Sequence, residues 1–267
     1  MNAFVRRPLA ALCAAITLSF APGVALADAQ LDKVLAGAHR SEANKARDPF
    51  RNPKPTLAFF GVKPDSTVIE VWPGGGWYTE VLSPYLRDKG RYIALFPATA
   101  TRGLQNFKDK LAKHPELYDK GAIALIGVPD KLDIRPEGGA DAVLTFRNVH
   151  NWLKDDLTPK YFKAFYDALK PGGVLGVVEH RAKPDTTRQQ WIESGYVTEQ
   201  YVIEQATAAG FKLDGKSEVN ANARDTKDYP KGVWTLPPVL TLGETDKAKY
   251  QAIGESDRMT LRFVKPK

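Results

Sequence analysis

The sequence predicts an α/β protein built on a doubly wound, mainly parallel, seven-stranded sheet with helices on both faces and an N-terminal helical extension. Three observations predict it. Short runs that are apolar on both faces alternate with helix-period segments, the pattern of strands covered on both sides. Lysine, proline and glycine punctuate the helix ends, as in Lys170-Pro171-Gly172-Gly173. The first strand turns sharply through Pro73 and three glycines into an amphipathic helix, "STVIEVWPGGGWYTEVL" over Ser66 to Leu82.

Each element follows in order. Leu31, Val34, Leu35 and Ala38 recur at helical spacing and place one face of an N-terminal helix on the body. "PFRNPKP" interrupts that pattern, and "TLAFFG" reads as a short apolar turn ending at Gly61. Val68, Ile69 and Val71 make the first strand, and Trp77 to Leu86 the first helix of the repeat. Arg91 to Phe96, Ala122 to Val128, Ala140 to Phe146 and Val174 to Glu179 are the second to fifth strands. Helices lie between them at Leu104 to Leu111 and Tyr161 to Leu169. A helix over Tyr196 to Ala209 then leads to "FKLDGKSEV" and the terminal "MTLRFVKP", two late strands. The segment 220–256 between them is too long for an inert connection and predicts an ordered excursion.

The expected organisation is a leader over 1–27, an N-terminal helical extension or lid over 28–60, and an α/β domain over 61–267. Arg6 and Arg7, the apolar run Leu9 to Phe20 and Ala25-Leu26-Ala27 have the order of a cleavable signal, which predicts a periplasmic or secreted protein starting near Asp28. No later segment resembles a membrane span. Cys13 is the one cysteine and falls in the leader, so the remaining chain has no disulfide and no cysteine–metal site. The balance of 43% hydrophobic and 26% charged residues is that of a packed globular chain. Its formal charge of +7 is spread without a basic stripe, which argues against a nucleic-acid partner.

In an open parallel sheet, ligands sit beyond the carboxyl ends of the strands where the strand order reverses. Gly74, Gly75 and Gly76 remove side chains there, so a ligand can approach the backbone. The motifs around them resemble those of class I S-adenosylmethionine-dependent methyltransferases, which have a Rossmann-like fold. "VIEVWPGGGW" is similar to that family's first motif, "ADAVLTFRNVHNW" to its fourth-strand motif, and "LKPGGVLGVVEH" to its helix–turn–fifth-strand motif. The stretch from Ala46 to Leu82 also resembles a subgroup of predicted methyltransferases with exported members. The two late strands suit the family's antiparallel sixth and seventh.

The resemblance implies a methyl donor, S-adenosylmethionine, held by Glu70, Trp72, Gly74, Gly75, Gly76, Tyr78, Phe96, Asp130, Arg147 and Asn148. Glu70 either orients the loop or lies near the donor's amino-acid part. Aromatic faces at Trp72 and Tyr78 attract a cationic sulfonium, and Arg147 can take its carboxylate in a two-pronged bond. Trp77 reads as core. His150, Glu179 and His180 are the candidates for acting on the acceptor, with His150 as base; Asn151 and Arg181 share the same edge. No third ligand accompanies the two histidines at a familiar spacing, so no metal is expected. Arg40, Arg47, Asp48 and Arg51 belong to the lid or decorate its wet face.

Departures from the pattern keep a second hypothesis open. Trp72 stands where the family has glycine. The second strand ends in Phe96 and Pro97, without the carboxylate that accepts the ribose hydroxyls, and Asp130 is the nearest substitute for an acid after the third strand. A nicotinamide dinucleotide fits less well, because Thr79 occupies the place of its third glycine. The function expected is methyl transfer to a small-molecule acceptor; the alternative is an exported ligand-binding protein that kept the fold and lost the donor site.

Overall fold

The computed structural model describes residues 22–267. The expected leader over 1–27 lies largely outside the described residues; residues 22–27 open the first helix, Pro22–Ala36. No helix among the described residues is long and apolar enough to cross a membrane.

Among the described residues seven strands form one sheet: β1 Thr67–Val71, β2 Arg91–Pro97, β3 Ala122–Ile126, β4 Ala140–Phe146, β5 Leu169–His180, β6 Lys212–Ser217 and β7 Arg258–Val264, in the order β3-β2-β1-β4-β5-β7-β6. β1 lies between β2 and β4, parallel to both. Its apolar residues are therefore buried on two faces: Ile69 and Val71 pack in one core cluster, and Val68 in the other. Glu70 alternates onto the Val68 face, which aims its carboxylate at the helix that follows the glycine turn.

Only β7 runs against the rest. It pairs antiparallel with both β5 and β6, so β6 is parallel to the central strands, contrary to the expectation that both late strands reverse. The cause is the helix Glu199–Ala208 between β5 and β6. A helical crossover returns the chain in the same direction and leaves a gap, which β7 fills from the opposite end.

The extension before β1 is more helical than expected. "TLAFF" is not a turn: Pro53–Phe59 is a helix with prolines in its first turn, where a missing N–H is not needed. Leu57 and Phe60 are fully buried on the sheet. Phe60 fits because Gly176 of β5 has no side chain. A Cβ added there would lie 2.8 Å from the Phe60 ring and 2.7 Å from Leu144. The excursion 220–256 is ordered, with a 3-10 turn at Gly232–Thr235 and a helix at Lys247–Ile253. Asp225 pins it by accepting from the Tyr196 hydroxyl at 3.0 Å and from the Asp257 N–H at 2.7 Å.

Gly176→Val should therefore lower stability by about 1–3 kcal/mol through overpacking against Phe60. Urea denaturation followed by circular dichroism checks this, with Gly103→Ala as the reference, a helical glycine whose added Cβ meets nothing within 4 Å.

Candidate active site

A cavity of about 310 Å³ opens beyond the carboxyl ends of β1 and β4, at the reversal of strand order. That is the low end of the range for small-molecule sites. Three segments wall it. The β1 turn contributes Trp72 to Gly75, the β4 end contributes Arg147 to His150, and a lid is made jointly by residues 44–51 and by Val233 to Val239 with Glu255 and Ser256. Residues of the N-terminal extension and of the excursion thus line one pocket.

The glycine wall is bare. A Cβ built on Gly74 or Gly75 meets nothing within 4 Å, while one on Gly76 lies 3.3 Å from the Lys110 side chain. Gly74 and Gly75 line the cavity and Gly76 does not, so Gly76 shapes the turn, with φ of 75°. Trp72 also has a left-handed φ, 48°, and its N–H is bonded to the Leu95 carbonyl at the end of β2. Its ring stands edge-on to Trp152 and Tyr161, with centroids at 5.9 and 5.7 Å. Lys110 braces the turn from behind, donating to the Gly75 carbonyl at 2.9 Å and to Glu80 at 2.5 Å.

Glu70 accepts from the Tyr92 hydroxyl at 2.5 Å and from the Thr79 hydroxyl at 3.0 Å. It reaches the cavity edge, but its hydrogen bonds hold the helix start. Burial pushes its carboxyl up to about 7, against the pull of those two hydroxyls. Tyr78 stacks on Phe146 at 3.6 Å and donates to the Arg51 carbonyl at 3.3 Å. Trp77 is core, as expected, and also an anchor. Its ring lies under the Arg51 and Arg40 guanidiniums at 4.7 and 5.2 Å, and its N–H donates to the Asn44 carbonyl.

At the end of β4, Asn148 donates to the Val71 carbonyl at 2.8 Å and so ties β4 to β1. Arg147 has φ of 61° and its N–H is fixed on the Val178 carbonyl. Its guanidinium lines the cavity and makes no hydrogen bond or ion pair among the described residues. Burial, then the neighbouring Arg258, lowers it to about 10, so it is charged at neutral pH.

Glu179 and His150 form a dyad. One carboxylate oxygen of Glu179 accepts the Val149 N–H at 2.6 Å; the other accepts the His180 N–H at 2.8 Å and meets His150 Nδ1 at 3.0 Å. With a carboxylate on Nδ1, that nitrogen carries the proton, and Nε2 is left as the acceptor. His180 is buried, its Nδ1 2.5 Å from the Ser256 hydroxyl. Burial, then His150 and the nearby arginines, pushes it well below the usual histidine range, so it is neutral. The ligand atoms of His150, Glu179 and His180 all lie within 4.8 Å of one another, close enough for a metal ion. A cation there would compete with the N–H donors already on Glu179 and would enter the field of Arg51, Arg147 and Arg258.

Two expected donor contacts lie elsewhere. Phe96 is buried against Phe107 at 4.9 Å, because the end of β2 faces the helix Thr101–Leu111 rather than the crevice. Asp130 is exposed in the loop closed by the Gly127–Lys131 bridge and does not reach the cavity. Asn151 is exposed outside it, and Arg181 is engaged by Asp257, Glu218 and Glu199.

The residues that the sequence reading missed come from the lid. Glu255 binds Arg47 Nε at 2.5 Å, Arg51 Nε at 3.4 Å and Arg258 Nη1 at 3.2 Å. Burial alone would raise Glu255, but Arg258, Arg51 and Arg47 together hold it at about 2. The charge run Glu255-Ser256-Asp257-Arg258 at the mouth of an apolar strand was the signal available.

The two perturbed carboxyls give opposite pH dependences. Glu70, raised in the folded state, contributes stability that is complete below 4.5 and is lost as the pH rises through about 7. The span corresponds to roughly 3 kcal/mol at most. Glu255, lowered, contributes stability that is present above 4.5 and is lost as the pH falls through about 2. Glu70→Gln should flatten the stability profile between pH 4.5 and 7 and leave the acid limb unchanged, as read by urea midpoints across pH.

No family model and no curated protein matches the chain. Solved structures do. It is similar to a SAM dependent methyltransferase from Aquifex aeolicus at 15% identity, covering 89% of this chain and 98% of that one with a TM-score of 0.55. It is similar to the [4+2]-cyclase SpnF at 15% identity, over 91% and 94% of the two chains with a TM-score of 0.58. It is also similar to the glycopeptide N-methyltransferase MtfA complexed with S-adenosyl-L-homocysteine, at 14% identity over 82% and 90% with a TM-score of 0.52. At these identities the likeness is one of architecture, and the chain has the α/β methyltransferase fold.

Proposed function

We propose that this protein transfers a methyl group from S-adenosylmethionine to a small-molecule acceptor, with His150 as the base. The observation that carries this reading is the Glu179–His150 dyad, which faces the same cavity as the side-chain-free wall of Gly74 and Gly75. The crevice fits the amino-acid end of the donor: the glycine wall admits close backbone approach, and Arg147 offers a guanidinium without a partner for its carboxylate. The donor supplies an electrophilic methyl carbon on a positive sulfur. His150 Nε2 accepts the proton from the acceptor's O–H or N–H as the new bond to the methyl carbon forms and the sulfur–methyl bond breaks, its electron pair staying on sulfur to leave S-adenosylhomocysteine. Glu179 fixes the tautomer and stabilises the imidazolium. Trp72 and Tyr78 present aromatic surface beside the site, and the lid segments limit water. The chemistry needs alignment more than covalent help.

A second reading, a ligand-binding protein on this fold, rests on the sequence at the end of β2, where Phe96 and Pro97 stand. No carboxylate ends β2, so the ribose hydroxyls lack their usual acceptor. Under either reading the signal-like N-terminus supports export to the periplasm or outside, with a mature chain starting near Asp28.

Calorimetric titration with S-adenosylmethionine separates the two. The enzyme reading expects micromolar binding that Gly74→Trp abolishes, and His150→Gln that keeps donor binding but lowers methyl transfer by about 10²–10⁴-fold. No binding at millimolar donor refutes it.

A further inference from the structure

We infer that the acceptor is a small acid, whose carboxylate or phosphate is bound by Arg47 and Arg51 at a second oxyanion site within the cavity. The inference rests on the methyl-transfer reading and names its substrate class.

Arg51 is almost wholly buried, with 3% of its side chain exposed, and its Nη2 has no hydrogen-bond partner among the described residues. Arg47 Nη2 is likewise buried without a partner. Both residues line the cavity. Each spends its Nε on Glu255 and has its Nη2 closed off by the protein, so Nη1, which has no partner among the described residues, is the nitrogen left to a ligand in the cavity. A buried charged donor without an acceptor is costly, and it persists where a ligand supplies the acceptor.

Charge counting points the same way. Arg47, Arg51, Arg147 and Arg258 influence this region, facing Glu255 and Glu179. Asp257, which also acts on Arg258, is paired with Arg181 and Lys227, and Glu70 bonds Thr79 and Tyr92 through one oxygen. The donor brings one carboxylate, which Arg147 satisfies, and two positive groups, so loading it increases the positive excess. A second anion restores the balance, and guanidiniums are the side chains best shaped for two-oxygen groups.

The opposite side of the lid is apolar. Trp234, Pro237, Pro238 and Val239 line it, and Val239 is 56% exposed, giving the body of a small molecule a surface to lie on. His150 stands 6.1 Å from the Trp234 ring, which puts the base beside that surface. An acid anchored at Arg47 and Arg51 would lie across the cavity with its nucleophile toward His150.

The test is titration of the full chain with benzoate and with inorganic phosphate, each with and without saturating S-adenosylhomocysteine, in wild type and in Arg47→Met, Arg47→Lys and Arg147→Met. We expect one of the two anions to bind and to stay bound with S-adenosylhomocysteine present. We expect Arg47→Met to weaken it at least about tenfold and Arg47→Lys, which keeps the charge, to weaken it less; Arg147→Met should weaken S-adenosylhomocysteine instead. Which anion binds tells a carboxylic acid from a phosphate ester. Binding of neither anion, equal binding to Arg47→Met, or expulsion of the anion by S-adenosylhomocysteine overturns the second site. Anion binding without any S-adenosylmethionine binding keeps the oxyanion site and sinks the donor reading; the reverse result sinks only the acid acceptor.

Discussion

One carboxylate joins the parts of this molecule that the backbone leaves apart. Glu255 sits where the excursion returns to β7 and binds Arg47 and Arg51 of the N-terminal extension and Arg258 of β7. Two further bonds run alongside it, from Arg258 to the Phe50 carbonyl and from Asn52 to the Val219 carbonyl. Removing one partner of a buried ion cluster leaves uncompensated charge in a medium that solvates it poorly. The cluster therefore constrains two segments more than 200 residues apart to close over the same crevice. The cavity exists because that closure stops short of the glycine turn.

Beneath the lid, the site is prepared by groups that the sheet holds still. Glu179 closes β5 with both oxygens engaged, so the His150 ring is aimed by a carboxylate that has no freedom of its own. Asn148 bridges the ends of β4 and β1, which sets the width of the crevice. The polar groups fall into two sets. Glu179, bonded through both oxygens, and Glu70 and Asn148, each bonded through one side-chain atom, position their neighbours. Arg47, Arg51, Arg147 and the far nitrogen of His150 retain bonding capacity toward the cavity, and that asymmetry is what a binding site shows before its ligand arrives.

Much of this was legible in the chain. The strands could be read because they are apolar on both faces, and the site edge could be placed because the glycine turn and the polar runs after β4 and β5 share one rim. Gly74, Gly75, Arg147, His150 and Glu179 follow from that rule alone. The helix over Pro53–Phe59 was hidden by its prolines, which punctuate most sequences but here sit in a first helical turn. Phe96 was misplaced because the strand pattern says where a residue ends up along the sheet, not which face it takes at the rim. The role of Arg47 and Arg51 depends on Glu255, and no local pattern reports a pairing across 208 and 204 positions.

The most direct measurement is amide hydrogen exchange on Glu255→Gln against wild type. If Glu255 clamps the lid, residues 42–52 and 222–256 lose protection together in the variant while β1 and β4 keep theirs, and stability falls by about 3–5 kcal/mol. Unchanged exchange in those two segments would show that the lid closes without this carboxylate, and would contradict the account.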